Sequence, residues 1–529
     1  MSGTVIDEPM TEAASEETEF VGPDISKLQD HTPAALRSPR VLAGLTFAVG
    51  LIYFVLCIRP LWYSDVWGHL AYGRLIWEEK SLPATEPLMP LATGMAFVDT
   101  AWLCQVIGYL TVSHLGHAGL QGLYALSIAI CVALLAARTY QKTRSGWFSL
   151  LTMGGFLMSA GMSLSIIRPQ IGGMVCFLML LFRLTGRRLH RSDWILIPAL
   201  FAVWANIHGS FLTGLFLMSS FVLGRAIDVG IRTGSWRAII RDHRVRRNFL
   251  LLELAAAAVV LNPYGIGVYS AVLQVAANPN LNDLVEWHPQ VLQETTGVLF
   301  GATIVALAIL YRCSPRRVRS WEVISLVVLG WATFNTSRMI VWWAPVAMLL
   351  LAVHGQAVWR RWRRLPRIPE APARAGKWSV VTVGLIWIFF AYSPLGIRLI
   401  HGKSPTLERS VSSETPLAVA RYLREKPPAG QIFNTFEWGD YLQWAGPEGL
   451  KIFVNSHAHL VPREVWLAYM QISDVQSGWE DALDRYGINT IVVDHEHRGA
   501  LIKKLKESDK WKLDFEQDGQ VVFIRKVPI

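Results

Sequence analysis

Apolar stretches long enough to cross a bilayer recur from residue 41 to residue 398. No chain with that pattern can bury them all in one aqueous core. A helix needs about 20 mainly apolar residues to span the hydrocarbon layer. Runs of this kind stand near 41–58, 119–137, 147–165, 169–184, 194–207, 209–226, 248–262, 297–311, 321–335, 339–357 and 378–398. They predict a polytopic α-helical membrane protein with about eleven transmembrane helices. The composition agrees. Charged residues make up 17% of the chain, against about 25% in soluble domains.

The net charge is +10, and on a soluble chain that excess would point to nucleic acid. Its placement says otherwise. Residues 41–400 hold 31 Lys and Arg against 14 Asp and Glu, while both flanking segments are acidic on balance. Five loops contain 25 of those bases. They are Arg138 to Arg144, Arg183 to Arg191, Arg225 to Arg247, Arg312 to Arg319 and Arg360 to Lys377. The alternate loops hold almost none, so the positive-inside rule places the five basic loops in the cytoplasm. The bilayer is then the partner that explains the charge, and no nucleic acid is expected. Residues 1–40 read as a disordered cytoplasmic tail with no cleavable signal peptide. An odd number of spans puts the C-terminal region outside an inner or plasma membrane.

Residues 98–115, VDTAWLCQVIGYLTVSHL, are almost apolar enough to cross. Crossing would put Arg138 to Arg144 outside, against their charge. They read instead as an amphipathic helix at the outer surface, within a long first outer loop, 59–118. Cys57, Cys104, Cys131, Cys176 and Cys313 form no CxxC pair, so neither a disulfide framework nor a zinc site is expected.

This orientation gathers the unusual polar residues at one face. Asp65, His69 and Asp99 lie in the first outer loop, and Arg168 in SIIRPQIGG. Asn206 and His208 lie in WANIHGSF, Asn262 and Tyr264 in LNPYG, Glu286 and His288 in VEWHPQ, and Asn335 and Arg338 in FNTSRM. Each has a structural alternative. Asp65 and Asp99 could cap helices, and Arg168 and Arg338 could snorkel to the interface. Their common sidedness is the signal, because charged groups near a bilayer are costly and usually functional. A set of this kind offers a base for a hydroxyl and cations for an anionic leaving group such as a phosphate. Asp65 suits the base, supported by His69, Asp99 and His208. Arg168 and Arg338 suit the phosphate, which guanidinium matches bidentately.

From residue 404 to 529 the pattern becomes that of a soluble extracytoplasmic α/β domain. QIFNTF, KIFVNS, TIVVD and QVVFIRK read as strands of a mostly parallel sheet, with helices at SETPLAVARYLREKPP, EVWLAYMQI and GALIKKLKES. Glu437, Asp440 and Tyr441 follow the first strand, and Asn455, Ser456, His457 and His459 the second. Strand ends of this kind bind ligands, so both clusters are candidate acceptor contacts. Turn formation and helix capping are their alternative roles.

The architecture of 41–400 resembles the GT-C fold glycosyltransferases, in particular the bacterial RgtA/B/C/D-like and dolichyl-phosphate-mannose mannosyltransferase-like set. One span is followed by a long outer loop opening with an acid, Asp65, then a helix ending in LGHAGL and a span ending in LLAARTYQKTR. The chain also resembles bacterial membrane proteins carrying RPQ, WANIHG, LNPYG and IFNTFEWGDYL. The GT-C resemblance implies a transferase of the cell envelope that uses a polyprenyl-phosphate-linked sugar. It makes Asp65 the catalytic or metal-associated carboxylate. Ser64-Asp65-Val66 has a single acid where many members have two. A divalent metal, Mg or Mn, held by Asp65 and Asp99 with a histidine, is left open. A glycan ligase or polymerase, a transporter and a non-enzymatic envelope protein are the competing readings.

Overall fold

The computed structural model describes residues 30–186, 189–365 and 372–528. Most of the segment read as an N-terminal tail, residues 1–29, lies outside the described residues, as do Arg187, Arg188 and Arg367. The helices of the bundle are α1 Arg40–Cys57, α2 Val66–Glu79, α3 Trp102–Thr143, α4 Gly146–Ser165, α5 Gln170–Leu184, α6 Asp193–Ile207 and α7 Phe211–Thr233. They continue as α8 Trp236–Arg241, α9 His243–Val259, α10 Gly267–Ala276, α11 Thr295–Cys313, α12 Ser320–Asn335 and α13 Ile340–Trp362. The set closes with α14 Gly376–Ala391 and α15 Pro394–His401.

Ten of the eleven apolar runs each fall, within a few residues, on one of these helices, and the run expected at 378–398 is broken between α14 and α15. By length and composition, six described helices can cross a membrane, or seven if the pair α14 and α15, bent by 83°, is one span. The apolar helices α5 and α6 are shorter. Local chemistry sets several boundaries. Ser145 caps α4 by accepting from the Phe148 amide at 3.4 Å. Asp242 caps α9, accepting from the amides of Arg244 and Val245 at 3.0 Å each. Gly234, at φ 63°, ends α7 in the left-handed conformation that glycine adopts without penalty. α3 is interrupted at Gly116, at φ 64° and ψ −166°. Residues 102–115 and 117–143 are thus two helical segments, and the break falls beside the end expected for the first outer loop.

The protein is an integral membrane protein, and its packing shows why. In α13 most of the apolar span is buried, and Trp343, Phe177, Phe201 and Trp204 pack in one core with it. In α1 and α14 the pattern is reversed. Leu51, Val380, Val383 and Trp387 point outward, as do Met162 of α4 and Ile231 of α7. An exposed apolar surface of that extent needs lipid to cover it.

The rest of the chain contributes α16 Leu407–Ser410, α17 Leu417–Glu425, α18 Gly439–Ala445, α19 Arg463–Ser473, α20 Trp479–Arg485 and α21 His495–Glu507. They surround a four-stranded sheet. Strands β1 Ser38–Pro39 and β2 Arg374–Ala375 pair beside the bundle. The sheet itself has β3 Ile432–Asn434, β4 Thr490–Asp494, β5 Trp511–Gln517 and β6 Gln520–Arg525, in the order β3-β4-β6-β5. Only β3 and β4 are parallel, which corrects the expectation of a mostly parallel sheet. Asp518 (φ 50°) and Gly519 (φ 76°) make the two-residue turn that forces β5 and β6 into an antiparallel hairpin. KIFVNS is a second correction: it forms a single bridge at Lys451 and no strand. There the Asn434 side chain replaces a strand partner, accepting from the Phe453 amide at 2.8 Å and donating to the Val454 carbonyl at 2.9 Å.

One core joins this region to the first long loop. Leu61, Trp67, Leu70, Tyr72 and Phe97 pack in the same cluster as Phe433, Phe453, Trp466, Val492 and Phe523. Trp466 is 1% exposed and its indole donates to Asp283 at 2.9 Å. Trp466→Ala should cost about 3–5 kcal/mol. Limited proteolysis is then expected to cut beyond residue 404 while the bundle stays intact. Cleavage no faster than in the unsubstituted chain would refute the shared core.

Candidate functional site

Asp65, Gly68, His69 and Tyr72 recur at three- and four-residue spacing, so they share one face at the start of α2. Asp65 stands just before the helix, yet its side chain makes no capping bond. It accepts instead from Nε of Arg168, in the turn between α4 and α5. The other side of Arg168, Nη1, donates to Oε2 of Glu286. Glu286 sits in the one-turn segment Val285–Trp287 between α10 and α11. Its Oε1 accepts from Nη1 of Arg338 at 3.0 Å. Arg338 also donates through Nη2 to Gln170 Oε1 at 3.2 Å, and its guanidinium lies 5.0 Å from the centre of the Trp287 ring. Four residues from four separate turns thus form one alternating chain, Asp65–Arg168–Glu286–Arg338.

The C-terminal region closes over this chain. A Cβ on Gly68 would lie 2.0 Å from Oδ1 of Asp440, so only glycine admits that side chain. Asp440 is fully buried and accepts from the Ser456 amide at 3.2 Å and hydroxyl at 3.1 Å. Burial, then the nearby Asp65 charge, push its carboxyl well above the usual range. Burial opposes the charge on Asp65 too, but the Arg168 guanidinium outweighs it and holds Asp65 below the usual carboxylate range. Arg168 loses basicity to burial and regains more from Asp65 and Glu286, so it stays charged. The two carboxyls are driven apart, one ionised and one neutral.

Histidines fill the remaining side. His69 lies 5.1 Å from His457 ring to ring, and His457 lies 5.9 Å from His459. Burial is the main cause that lowers His69 to about 4 and His457 and His459 to about 3. His208 is lowered to about 3 by burial, then by the Arg338 and Arg168 charges, and its Nδ1 accepts from the Ser210 amide at 3.0 Å. The imidazoles are neutral at physiological pH.

Asp99 is brought to the edge of this group. Its Oδ1 accepts from the Ala101 amide at 2.9 Å and from Gln105 Nε2 at 3.2 Å, and the same Nε2 lies 3.3 Å from His69 Nδ1. Burial pushes its carboxyl up to about 7. Other candidates are occupied elsewhere. Asn206 accepts from the Trp102 indole at 2.9 Å and donates to the carbonyls of Ala202 and Leu261 at 2.8 and 3.0 Å, so it ties helices together. His288 is exposed and its Nε2 lies 2.9 Å from the Asn282 carbonyl. Glu437 faces Arg498 at 3.8 Å, and Tyr441 packs edge-on against Trp67 at 5.0 Å. Gln105 and Gln170 escaped the sequence reading. Gln170 had a signal in the RPQ segment, while Gln105 stands out in the sequence only as a polar residue of the nearly apolar segment 98–115.

Of the donors that a cation between Asp65 and Asp99 would use, Asp65 is engaged by a guanidinium and Oδ1 of Asp99 by an amide and Gln105, while Oδ2 of Asp99 is buried without a hydrogen-bond partner. Among the described residues, no group of three or more His, Cys, Asp or Glu side chains is placed to hold a metal ion.

No family model and no curated protein sequence matches the chain. Solved structures do match. The oligosaccharyltransferase of Archaeoglobus fulgidus in its apo form superposes with a TM-score of 0.53 at 11% identity, over 92% of this chain and 75% of that one. The same protein tethered to an acceptor peptide containing the NVT sequon gives 0.50 at 12% identity, over 91% and 74%. ArnT of Cupriavidus metallidurans bound to undecaprenyl phosphate gives 0.49 at 13%, over 91% and 97%. The oligosaccharyltransferase match makes this a polytopic membrane protein of the GT-C fold. At such identities the likeness concerns the fold, and the chemistry has to come from the residues.

Proposed function

We propose that the protein is a membrane glycosyltransferase that moves a sugar from a polyprenyl-phosphate donor to an extracytoplasmic acceptor, a glycan, lipid or protein. The observation that carries this reading is the Asp65–Arg168–Glu286–Arg338 chain beneath the C-terminal region. It sets two carboxylates, Asp65 and Glu286, beside two guanidinium groups at one end of an apolar bundle. In the proposed reaction the acceptor oxygen attacks the anomeric carbon. The bond from that carbon to the phosphate oxygen breaks, and the electron pair leaves with the phosphate. The acceptor's proton passes to Asp65, and Arg168 and Arg338 neutralise the charge gained by the phosphate. The fold shared with the oligosaccharyltransferase supports a transferase, and undecaprenyl phosphate in the ArnT crystal gives the lipid probe. The N-terminus is assigned to the cytoplasm and residues 404–529 to the outside, on the distribution of arginine.

The test is sugar transfer from a labelled polyprenyl-phosphate donor in membranes. Arg338→Ala should raise the donor KM by about tenfold or more, one lost charged contact being worth about 1.5–3 kcal/mol. A ligase or polymerase would lose activity with Arg338→Ala and keep it with Asp65→Asn. Unchanged donor kinetics in Arg338→Ala would overturn the phosphate assignment.

A further inference from the structure

We propose that Glu286 is an internal stand-in for the donor phosphate, and that a lipid phosphate enters by displacing its carboxylate from between Arg168 and Arg338. The inference rests on the reading of those arginines as the phosphate site. Three observations carry it.

The first is how the bonds are shared. Each guanidinium has one partner on the bundle and one on the Glu286 turn. Arg168 holds Asp65 through Nε and Glu286 through Nη1. Arg338 holds Gln170 through Nη2 and Glu286 through Nη1. Asp65 and Gln170 therefore keep both arginines aimed inward when Glu286 departs. The vacated nitrogens, one from each arginine, face a common point, as two oxygens of a single phosphate require.

The second is charge. Two carboxylates and two guanidiniums sum to zero. Removing the Glu286 carboxylate alone leaves an uncompensated buried cation, which is costly. A singly charged phosphodiester restores neutrality and a phosphate monoester, with about −1.5 to −2 charge, more than restores it, so either lipid phosphate matches the exchange in sign.

The third is access to solvent. The Glu286 side chain is 31% exposed, against 17% for Arg168, 23% for Arg338 and 11% for Asp65. It is the most exposed member of the chain. Its backbone is pinned separately. The Ser337 hydroxyl donates to the Glu286 carbonyl at 3.0 Å, and the Ser337 amide donates to the His288 carbonyl at 2.9 Å. The side chain can swing out by a rotamer change while the turn stays in place.

Binding of farnesyl phosphate to the purified full-length protein in detergent tests this, with farnesol as the uncharged control. Glu286→Gln should bind farnesyl phosphate about tenfold tighter or more and farnesol unchanged. Arg168→Ala and Arg338→Ala should bind it about tenfold more weakly or worse. Unchanged or weaker binding in Glu286→Gln, with both arginine variants impaired, overturns the stand-in and leaves the phosphate site standing. Arginine variants that bind like the unsubstituted protein overturn the phosphate site itself. Where Glu286→Gln does not fold, Glu286→Asp serves. It keeps the charge but shortens the side chain that bridges Arg168 and Arg338, so it must also tighten binding, and no tightening refutes the proposal.

Discussion

Replacing Asp65 by asparagine should lower sugar transfer by about 10²–10⁴-fold, the contribution of a positioned general base. The substitution keeps shape and removes only the charge. Asp65 is held ionised by Arg168, so it is available to take the acceptor's proton throughout the working pH range. Its low basicity places proton transfer late, when the acceptor oxygen has already bonded to carbon and become acidic. Asp65→Asn should therefore depress kcat and leave the donor KM nearly unchanged, since the asparagine oxygen can still accept from Nε of Arg168 and Nη1 stays free for the phosphate. A structural role would give the opposite pattern, with loss of folded protein and a raised KM. Transfer within twofold of the unsubstituted protein would remove Asp65 from the chemistry.

The sequence exposed this site through topology. Asp65, Arg168, Glu286 and Arg338 stood out because they lie in loops that the basic residues avoid, and the structure gathers all four. It could not show who pairs with whom. Arg168 is 103 residues from Asp65 and 118 from Glu286, and only helix packing closes such distances. Residues at the same face with ordinary duties, Asn206 and His288, looked equally promising, because a hydrogen bond to a backbone carbonyl leaves no mark on the sequence. In the C-terminal region β4 and β6 were legible because both faces are buried and the strands read as unbroken apolar runs. Strand β5, WKLDFEQ, was missed because it is an edge strand that is largely exposed along its length. The core shared by the first loop and the C-terminal region depends on Gly68 and Trp67 meeting α18, and nothing local in either segment announces the other.

The histidines that pack around Asp65 should make the protein unusually sensitive to acid. In an unfolded chain they protonate near 6.5, whereas burial holds His69 to about 4 and His208, His457 and His459 to about 3. Below pH 6.5 the unfolded state binds protons that the folded state cannot, so stability falls as pH drops. The contribution is fully present above 6.5 and is lost down to the folded values. At pH 5 each group costs about 2 kcal/mol, from about 1.5 units at 1.36 kcal/mol each. Asp99 acts in the opposite direction. Its pKa is raised from 3.8 to about 7, so its contribution is present at low pH and lost as pH rises through 7, worth about 4 kcal/mol at one unit's cost per pH. The two limbs overlap between 3.8 and 6.5, where four histidines outweigh one carboxyl, so stability measured by denaturation in detergent should rise with pH to about 6.5 and level off above about 7. His457→Gln should recover about 2 kcal/mol at pH 5 and nothing at pH 8. Asp99→Asn should do the reverse, gaining most at pH 8. An acid limb unchanged in His457→Gln would mean that its imidazole is already charged in the folded protein. The neutral, water-excluded pocket inferred around Asp65 would then be wrong.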